Sequence, residues 1–312
     1  MEIVRGWRET PGNVRGGSLA IGNFDGVHRG HQAVLDVAIS GARERGIPAG
    51  AMVFEPHPRQ FFQPGKSIFR LTPLDIKLKL FASRGLNFTV IIDFDEALAN
   101  LFAADFATQV LAEAFAPSLV VTGYDFFFGK GRGGNPAILR QLGANLGFAV
   151  ETVAPAGDSG EIFSSTRVRE MLAEGDARGA AHILGRCWRV SGVVKPGAGR
   201  GAGLGFPTAN IDLEEGQALK HGIYAVRVHR DAETFDGAAY LGPRPTFDNG
   251  APVLEVFLLD FSGDLYGCAI EVEFVDFIRG DGKFRSGESL SEQMAKDCAR
   301  AREILTNEQR MY

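Results

Sequence analysis

The sequence predicts an α/β domain with a parallel sheet, followed by a small antiparallel β-barrel domain with a C-terminal helix. Three observations support this prediction. Short apolar segments alternate with amphipathic helical segments in the first part of the chain. After residue 186, period-two alternation and glycine-rich turns replace that pattern. The chain has 312 residues, enough for two ordinary domains, and we place them at 1–185 and 186–312.

The first predicted strand is the apolar run Leu19–Ile21, and the first predicted helix follows the turn Gly22–His31, with the sequence GNFDGVHRGH. Such strand–helix junctions bind ligands in α/β folds, and the free N–H groups of a helix start favour phosphate. His28 and His31 are three residues apart, so both imidazoles can face one ligand. The alternatives are a connecting turn with solvated or capping histidines, or a zinc pair, although no other His or Cys suggests the further ligands that zinc needs.

The later elements of the first domain are predicted from the same alternation. Two prolines after the strand at 51–54 argue against a helix in the FEPHP segment, which places His57 and Arg59 on a rigid loop. The pattern is typical of a parallel sheet covered on both faces, a Rossmann-like α/β domain. The remaining elements are helices at 71–81, 104–115 and 136–145 and strands at 88–92, 118–121 and 148–153.

The loop Gly123–Gly134, with the sequence GYDFFFGKGRGG, combines aromatic and charged residues after the strand at 118–121. Three consecutive phenylalanines beside a glycine-rich basic segment favour a pocket for a planar ligand with a phosphate clamp. The alternative is a flexible surface loop whose phenylalanines point into the core.

The segment Ser164–Arg169, with the sequence SSTRVR, lies at the start of another predicted helix. Hydroxyl side chains at a helix start usually cap it. Two basic residues in the first turn oppose the helix dipole, which indicates that an anion offsets them. Polyphosphate fits this requirement, with Arg167 holding oxygens through its planar guanidinium. A short helix at 175–185 then leads to the domain boundary.

The second domain is predicted from short strands separated by turn signals. A small antiparallel barrel buries such strands without leaving long edges. The segment 290–305 is amphipathic and is predicted to form a helix that lies across the barrel. The predicted strands are 189–194, 223–228, 237–241, 254–261 and 269–278.

A glycine-rich segment of the second domain, Gly197–Asn210, has the sequence GAGRGAGLGFPTAN. It is not a Walker motif, because no Gly-Lys-Ser/Thr follows a buried strand. It can form a flap over phosphates around Arg200, with Thr208 and Asn210 as hard oxygen ligands for Mg²⁺. The alternative is a mobile surface loop followed by an ordinary turn.

Glu255 lies in the segment LEVFLLDF of the second domain. Strict alternation places it on the strand face that carries Phe257, Leu259 and Phe261. A carboxylate on a largely apolar face is costly unless it is paired or exposed, and such groups are often catalytic. The alternative is an edge-strand glutamate that reaches solvent.

Together these motifs resemble those of the bifunctional bacterial riboflavin kinase/FAD synthetases over almost the whole chain. The first half is similar to the FMN adenylyltransferase module through GNFDGVHRGH, FEPHP, GYDFFFGKGRGG and SSTRVR, in family order and at family spacing. The second half is similar to the riboflavin kinase module through GLGFPTANI, GIYAVRV, GPRPTF, LEVFLLDF and DLYG. The departures are Phe127, where a polar or basic residue is more usual, Ala202, where a second Arg is common, Phe257, where His is common, and Asp281, where Glu is usual.

The resemblance implies a nucleotidyltransferase domain joined to a kinase domain, with Mg²⁺ as cofactor and ATP as co-substrate. It implies that the barrel phosphorylates riboflavin to FMN, and that the α/β domain adenylylates this intermediate to FAD and releases pyrophosphate. The catalytic residues it implies are Glu255 as the base of the kinase domain, and His28 and His31 in the nucleotidyltransferase domain. The binding residues it implies are, for the nucleotides, Gly22, Asn23, Phe24, Asp25, Gly30, Ser164, Ser165, Thr166, Arg167, Gly199, Arg200 and Gly205; for the flavin, His57, Asp125, Phe126, Phe128 and Arg132; and for the metal, Thr208 and Asn210.

Composition predicts a cytoplasmic protein without nucleic-acid or membrane partners. Hydrophobic residues make up 45% and charged residues 23%, as in ordinary globular domains. A net charge of −5 argues against a broad nucleic-acid-binding surface. Three widely spaced cysteines do not suggest a disulfide framework, and no signal-peptide or membrane-spanning run is present. The oligomeric state stays open, with a homo-oligomer as one alternative.

Two alternatives to a fully active bifunctional enzyme also stay open. One is an FAD synthetase whose barrel binds flavin but phosphorylates it poorly, because Ala202 and Asp281 weaken flap closure or the kinase rate. The other is a flavin-binding regulatory or carrier protein on a degenerate version of this architecture. The intact sets of chemical residues argue against the second, and turnover with ATP distinguishes all three.

Overall fold

The computed structural model describes residues 1–158, 160–196, 206–213, 216–243 and 252–309. The chain divides into two units. The first consists of Met1–Ile68 and Pro73–Ser164, and the second of Phe69–Thr72 and Ser165–Tyr312. A four-residue segment from the first part of the sequence therefore belongs to the second unit.

The first unit is an α/β structure whose helices connect parallel strands. Its strands are β1 (Glu2–Arg5), β2 (Ser18–Ile21), β3 (Ala49–Glu55), β4 (Phe88–Asp93), β5 (Leu119–Gly123) and β6 (Ala149–Val153), with a small hairpin of β7 (Gly157–Asp158) and β8 (Glu161–Ile162). Its helices are α1 (Arg29–Arg45), α2 (Pro58–Phe62), α3 (Leu74–Ser83), α4 (Glu96–Asn100), α5 (Ala103–Asp105) and α6 (Pro136–Leu146), with a π-helix at Phe106–Phe115 and 3₁₀ turns at Gly12–Val14 and Lys130–Arg132.

The six main strands pair in parallel in the order β1-β4-β3-β2-β5-β6. The chain runs outward from β2 through β3 to β4 and then returns to β5 on the other side of β2. The carboxyl ends of β2 and β5 therefore flank the point where the strand order reverses, which is where open α/β sheets bind ligands. The predicted parallel α/β domain is confirmed.

Side chains are buried on both faces of this sheet, as expected for parallel strands between helical layers. Along β3, Ala51 and Val53 pack with the side chains of α1 and α3. Met52 and Phe54 pack on the opposite face with the π-helix and α6. The sheet is thereby fixed, and the loops at its carboxyl edge start from rigid strand ends.

The structure corrects two of the sequence predictions for the first unit. The FEPHP segment does not remain a loop: α2 begins at Pro58, so Arg59 lies in its first turn. Proline suits the first position of a helix, because the N–H that it lacks would have no intrahelical partner there. The Glu55–Pro56 peptide bond is cis. The helix predicted at 104–115 is mostly a π-helix, which ends with a bond from the Ala116 N–H to the Leu111 carbonyl.

The second unit is a curled antiparallel sheet with helices. Its helices are α7 (Ser165–Glu174), α8 (Ala177–Leu184) and α9 (Gly287–Gln309), and its strands are β9 (Trp188–Val193), β10 (Ala209–Asp212), β11 (Gly222–Arg230), β12 (Glu233–Pro243), β13 (Pro252–Leu258) and β14 (Ala269–Arg279). The strand order is β10-β13-β12-β11-β14-β9. The two edge strands meet where the Lys195 N–H donates to the Asn210 carbonyl at 2.8 Å. The predicted antiparallel barrel with a C-terminal helix is confirmed.

The barrel interior is packed with large side chains, and it includes the segment Phe69–Thr72. The Trp188 indole lies 5.2 Å from the Phe274 ring and 5.5 Å from the Phe69 ring. Its Nε1–H donates to the Leu71 carbonyl at 2.8 Å, and the Arg169 guanidinium donates to the Phe69 carbonyl at 2.8 Å. These contacts fix the segment as part of the second unit.

Part of the outer face of the barrel is covered by α9. Ala301, Ile304 and Leu305 of α9 pack on Ala225 and Ala238 of the sheet. The helix predicted at 290–305 thus packs its apolar side chains against the barrel, as expected. Strands β10 and β13 carry predicted kinase residues on the same outer face, where Asn210 is buried and Glu255 is half-buried.

The strand that carries Glu255 is shorter than predicted. It ends at Leu258, and Leu259 and Asp260 form a turn in which Asp260 has a φ of 56°. Leu259 and Phe261 therefore do not share the strand face of Glu255, as the alternation had suggested, because the left-handed residue ends the extended backbone. Phe257 does share it. One of the predicted turn signals between these strands, Asp248-Asn249-Gly250, lies outside the described residues.

Candidate active sites

The turn Gly22–His31 starts at the carboxyl end of β2, beside the end of β5, with Ile21 paired to Thr122. Three of its residues have left-handed backbone, namely Phe24 (φ 49°), Gly26 (φ 89°) and Val27 (φ 43°). A β-branched residue in this region is an outlier, because its side chain crowds the backbone. At residues other than glycine, such conformations cost about 1–3 kcal/mol each, and they concentrate at functional sites.

His28 caps the first helix through its ring. Its Nδ1 accepts a hydrogen bond from the His31 N–H at 3.3 Å, which leaves Nε2 as the ring nitrogen that can donate to a ligand. The ring is buried, and it stacks on the His31 ring with centroids 3.6 Å apart. A side chain at Gly30 would place its Cβ 3.1 Å from the His28 ring. Glycine at this position therefore leaves the His28 ring undisturbed.

His31 is held between two rings, because its other neighbour is Phe24, with centroids 5.4 Å apart. Burial lowers the pKa of His31 well below its ordinary value, and unfavourable electrostatic interactions with His28 and Lys77 lower it further. His31 is therefore a neutral imidazole at neutral pH. The rings of His28 and His31 lie side by side, as the three-residue spacing predicted. Binding of one ligand by both rings stays a prediction.

Two polar atoms of the turn are buried without a hydrogen-bond partner among the described residues, namely Asn23 Oδ1 and His31 Nδ1. An unpaired buried polar group costs about 1–3 kcal/mol, and most native groups avoid this cost. The strained backbone and the unpaired atoms lie in the same turn. They indicate that this turn is built for a ligand rather than for stability.

The Gly123–Gly134 loop follows β5 and folds back on itself, with mutual backbone hydrogen bonds between Phe128 and Gly134. Phe128 is buried in the core, where it contacts Phe106, which agrees with the alternative that phenylalanines of this loop point inward. Phe126 is half-buried and stacks on Phe128 with centroids 5.5 Å apart.

The other predicted flavin residues lie on exposed or half-exposed parts of the same unit. Arg132 is exposed, and its guanidinium lies 4.6 Å from the ring centroid of Phe127, the exposed residue that departs from the family pattern. Asp125 is exposed. His57 is half-buried and caps α2, with its Nδ1 accepting from the Arg59 N–H at 3.1 Å. A flavin-binding role for these residues stays a prediction.

The SSTRVR segment begins α7 in the second unit, with Ser164 just before it and Ser165, Thr166 and Arg167 in its first turn. Its two arginines have partners within the protein. Arg167 lies 3.4 Å from a Glu170 carboxylate oxygen, and Arg169 donates to the backbone as described above. The repulsion from the helix dipole is thus offset partly by these contacts, and nucleotide binding here stays a prediction.

The predicted kinase residues Glu255 and Asn210 lie side by side on the outer face of the barrel. Glu255 on β13 is paired directly with Asn210 on β10 and with Tyr240 on β12. The core-facing residues of the same strand, Leu254 and Val256, are fully buried, whereas Glu255 is half-buried. Glu255 therefore lies on the half-exposed face, where a substrate can reach a carboxylate.

The surroundings of Glu255 are partly aromatic. The Phe257 ring lies 5.2 Å from the Phe206 ring, at an interplanar angle of 69°. Burial raises the pKa of Tyr240, and the charges of Asp281 and Glu255 raise it further, so its hydroxyl stays a donor at neutral pH. This neighbour was missed by the sequence analysis, although alternation places it on the face of β12 opposite to that of Ala239 and Leu241.

Thr208 immediately precedes β10, and Asn210 is the second residue of that strand. Asn210 is buried and its Nδ2 donates to the Thr208 carbonyl at 3.3 Å, which fixes the orientation of the amide. The predicted flap residues Gly199, Arg200 and Gly205, and the departure Ala202, lie outside the described residues. In the part of the chain that is described, no cluster of three or more His, Cys, Asp or Glu side chains is arranged around a metal position.

Comparison with known proteins assigns each half to a family. The FAD synthetase family model matches residues 11–167, and the riboflavin kinase family model matches residues 184–305. The bifunctional riboflavin kinase/FMN adenylyltransferase of Pseudomonas fluorescens is 38% identical over 305 residues, which cover 97% of this chain and 98% of that protein. The chain belongs to the bifunctional riboflavin kinase/FMN adenylyltransferase family. The Escherichia coli (strain K12) member is 37% identical over 306 residues, with 97% and 98% covered.

Membership of this family confirms the resemblance, the enzyme class and the order of the two halves predicted from the sequence. A solved structure described as a macrolide-efflux protein from Streptococcus pneumoniae is similar at a TM-score of 0.86 and 27% identity, covering 95% of this chain and 97% of that one. That description concerns the pneumococcal protein. In this chain, no helix within the described ranges is long and apolar enough to span a membrane.

Lys77 is a further residue of the first site that the sequence analysis missed. Its Nζ donates to the Asn23 carbonyl at 2.9 Å and lies 3.6 Å from Glu55 Oε1. A signal was present, because Lys77 precedes the core residue Phe81 by four positions and so shares its helix face. A lysine on the apolar face of a helix is unusual, so the sequence could have identified Lys77 as a candidate functional residue.

Proposed function

We propose that this one chain carries out both reactions of its family, phosphorylating riboflavin to FMN in its second unit and adenylylating FMN to FAD in its first. The observation that carries the proposal is that each half holds its own chemical groups. Glu255 and Asn210 lie on one barrel face, and His28 and His31 lie at the strand-order reversal of the sheet. Neither set would be required of a protein that only bound flavin.

In the kinase half, Glu255 accepts the proton of the riboflavin 5′-hydroxyl while that oxygen attacks the γ-phosphate of ATP. Its half-exposed position allows the hydroxyl to approach, and the strand holds the carboxylate in place. Tyr240, which stays protonated, can donate a hydrogen bond to the substrate beside it.

The residues at the start of β10 fit a magnesium ion. The Thr208 hydroxyl and the Asn210 amide oxygen are hard donors of the kind that Mg²⁺ prefers, and the bond from Asn210 Nδ2 turns the amide nitrogen away from that role. When bound, the ion supplies positive charge to the ATP phosphates. The proposed flap around Gly199, Arg200 and Gly205 would cover the same phosphates.

In the adenylyltransferase half, the FMN phosphate is already an anionic nucleophile and needs no base. It attacks the α-phosphate of ATP and pyrophosphate leaves. The Nε2–H of His28 and the neutral imidazole of His31 donate hydrogen bonds to phosphate oxygens, aided by the N–H groups at the start of α1. We also assign nucleotide binding to Ser164–Arg167 and flavin binding to the Gly123–Gly134 loop, on the strength of the motif resemblance.

The test is a chromatographic time course with purified protein, riboflavin, ATP and Mg²⁺. We expect FMN first and FAD after it. Glu255→Gln should lower FMN formation by about 100-fold or more and leave FAD formation from supplied FMN intact. His31→Ala should do the reverse, with a loss of about 100-fold or more. If either change removed both activities from a folded protein, the two-site assignment would be wrong.

The same experiment decides between full and partial activity. If FAD forms only when FMN is supplied, the barrel is a poor kinase and the departures at Ala202 and Asp281 are the first positions to restore. A cytoplasmic location, with Cys187, Cys268 and Cys298 kept as free thiols, is proposed from composition and from the absence of disulfides among them.

A further inference from the structure

We propose that Lys77 is a positioning residue for adenylyl transfer, tying the Gly22–His31 turn to the end of β3 so that the two histidines face the phosphates. The inference rests on the proposed function of that turn. Lys77 lies in the first turn of α3, and its side chain is only 3% exposed. It takes no part in the chemistry assigned above.

The placement of Lys77 is unfavourable in two respects. A buried ammonium group loses its hydration, which is costly unless the charge is paired and hydrogen-bonded. A cation in the first turn of a helix is also repelled by the positive end of the helix dipole. The contacts with the Asn23 carbonyl and the Glu55 carboxylate offset these costs.

These contacts join two loops at the carboxyl edge of the sheet. Asn23 directly precedes the left-handed Phe24, and Glu55 is the last residue of β3, the strand next to β2. One cation from α3 thus holds both strand ends. A turn that contains a left-handed valine needs such an anchor, because strained backbone persists only when its surroundings fix it.

The charge of Lys77 has a second effect, on His31. The groups that act on the His31 ring are His28, from the same helix start, and Lys77, from α3. Glu55 opposes the charge of Lys77 from the end of β3, and Asp25 lies buried in the same turn. Removing the lysine charge should therefore let His31 accept a proton at a higher pH, which purely mechanical support of the turn would not cause.

The experiment uses the full chain with Lys77→Met, and with Lys79→Met as the matched control, because Lys79 is exposed on the same helix. We expect FAD formation from FMN to fall by about 100-fold in Lys77→Met, since small displacements of reacting groups have effects of that size. FMN formation from riboflavin should not change, and it serves as an internal control. The control variant should keep both activities.

The second readout is the titration of His31 by NMR. The chain has six histidines, so the His31 signal is identified by its loss in His31→Gln. We expect its midpoint to rise in Lys77→Met. An unchanged midpoint, or an unchanged rate of FAD formation, would overturn the inference.

A double variant, Glu55→Gln/Lys77→Met, separates positioning from simple charge neutralisation, and it carries the test if Lys77→Met fails to fold. If Lys77 only compensated Glu55, the double variant would recover FAD formation together with its thermal stability, which would refute the proposal. Continued loss of FAD formation in a stable double variant supports it. If His31→Ala itself keeps FAD formation, the site assignment fails; if only Lys77→Met keeps it, the positioning role fails alone.

Discussion

Glu273 of β14 provides a test of how the outer face of the barrel is stabilised. Its side chain is 9% exposed and faces three cationic or titratable groups. It is bonded to Arg189 through Nε at 2.8 Å and through a second, very short contact, and it lies 3.4 Å from Arg227 and 3.1 Å from His229 Nε2. We predict that Glu273→Gln destabilises the second unit strongly at neutral pH and weakly in acid.

The magnitude follows from the pKa of the carboxyl. Burial alone would raise the pKa of Glu273, but the hydrogen bond from His229 and the charges of Arg189 and His229 outweigh burial and lower it to about 2. The ordinary value is 4.5. At about 1.36 kcal/mol for each pKa unit, the difference corresponds to about 3 kcal/mol of stability. Because the pKa is lowered on folding, this stability is complete above the unfolded value and is lost as pH falls toward 2.

The measurement is chemical unfolding at several pH values, followed by the fluorescence of Trp188. The chain has two tryptophans, and Trp7 lies in the first unit, so a Trp7→Phe background leaves a probe of the barrel alone. The Glu273→Gln variant should have an unfolding free energy about 3 kcal/mol lower than the protein that keeps Glu273, at neutral pH and in the same Trp7→Phe background. This difference should fall below half of that value near pH 3.

Glu233→Gln is the matched control, because the Glu233 carboxylate is 57% exposed and pairs with Arg230 at the surface. Exposed pairs contribute little, so its effect should be small at every pH. A loss that is equally large at pH 7 and pH 3 for Glu273→Gln would refute the reasoning. It would mean that packing of the side chain, and not its charge, stabilises the sheet.

Three further predictions concern a helix cap, a closely packed glycine and two buried thiols. Asn135→Ala should destabilise the first unit by about 1 kcal/mol in chemical unfolding, because its side chain caps α6 by accepting from the Ile138 N–H at 3.0 Å. Gly134→Ala should destabilise the same unit, since the new Cβ would lie 2.6 Å from the Phe128 ring; unchanged stability would show that the loop can shift. Burial raises the pKa of Cys187 to about 12 and of Cys298 to about 11, so both thiols should react slowly with an alkylating reagent at neutral pH, as mass spectrometry of the labelled peptides can check.

Regular patterns in the sequence were enough to predict most of the architecture. β3 and α1 were predicted from apolar and amphipathic segments, patterns that depend on residues close together in the chain. Because the sheet is buried on both faces, its strands are continuously apolar, which makes this pattern clear. The strands β1 and β10 were missed. Each has only four residues, and β10 lies inside a motif whose residues were interpreted as metal ligands. Short strands are specified mainly by their partners, which a local pattern does not contain.

The sites were predictable to the extent that their residues form local motifs. The His28 and His31 pair was found because helical spacing fixes which side chains are neighbours. Lys77 and Tyr240 were missed because each reaches its site from another element. Spacing within one segment shows which face such a residue lies on, but not which other element it contacts. The length of β13 was wrong because Asp260 adopts a left-handed conformation that alternation cannot foresee.

The segment Phe69–Thr72 limits how the chain can be dissected. A kinase fragment that began at Arg186 would leave the indole N–H of Trp188 without the Leu71 carbonyl, inside an interior that also lacks the Phe69 ring. Poor yield or insolubility of such a fragment would then be explained by the missing part of its own core. It would not show that riboflavin phosphorylation depends on the other active site. Supplying residues 69–72 through a linker is the appropriate repair.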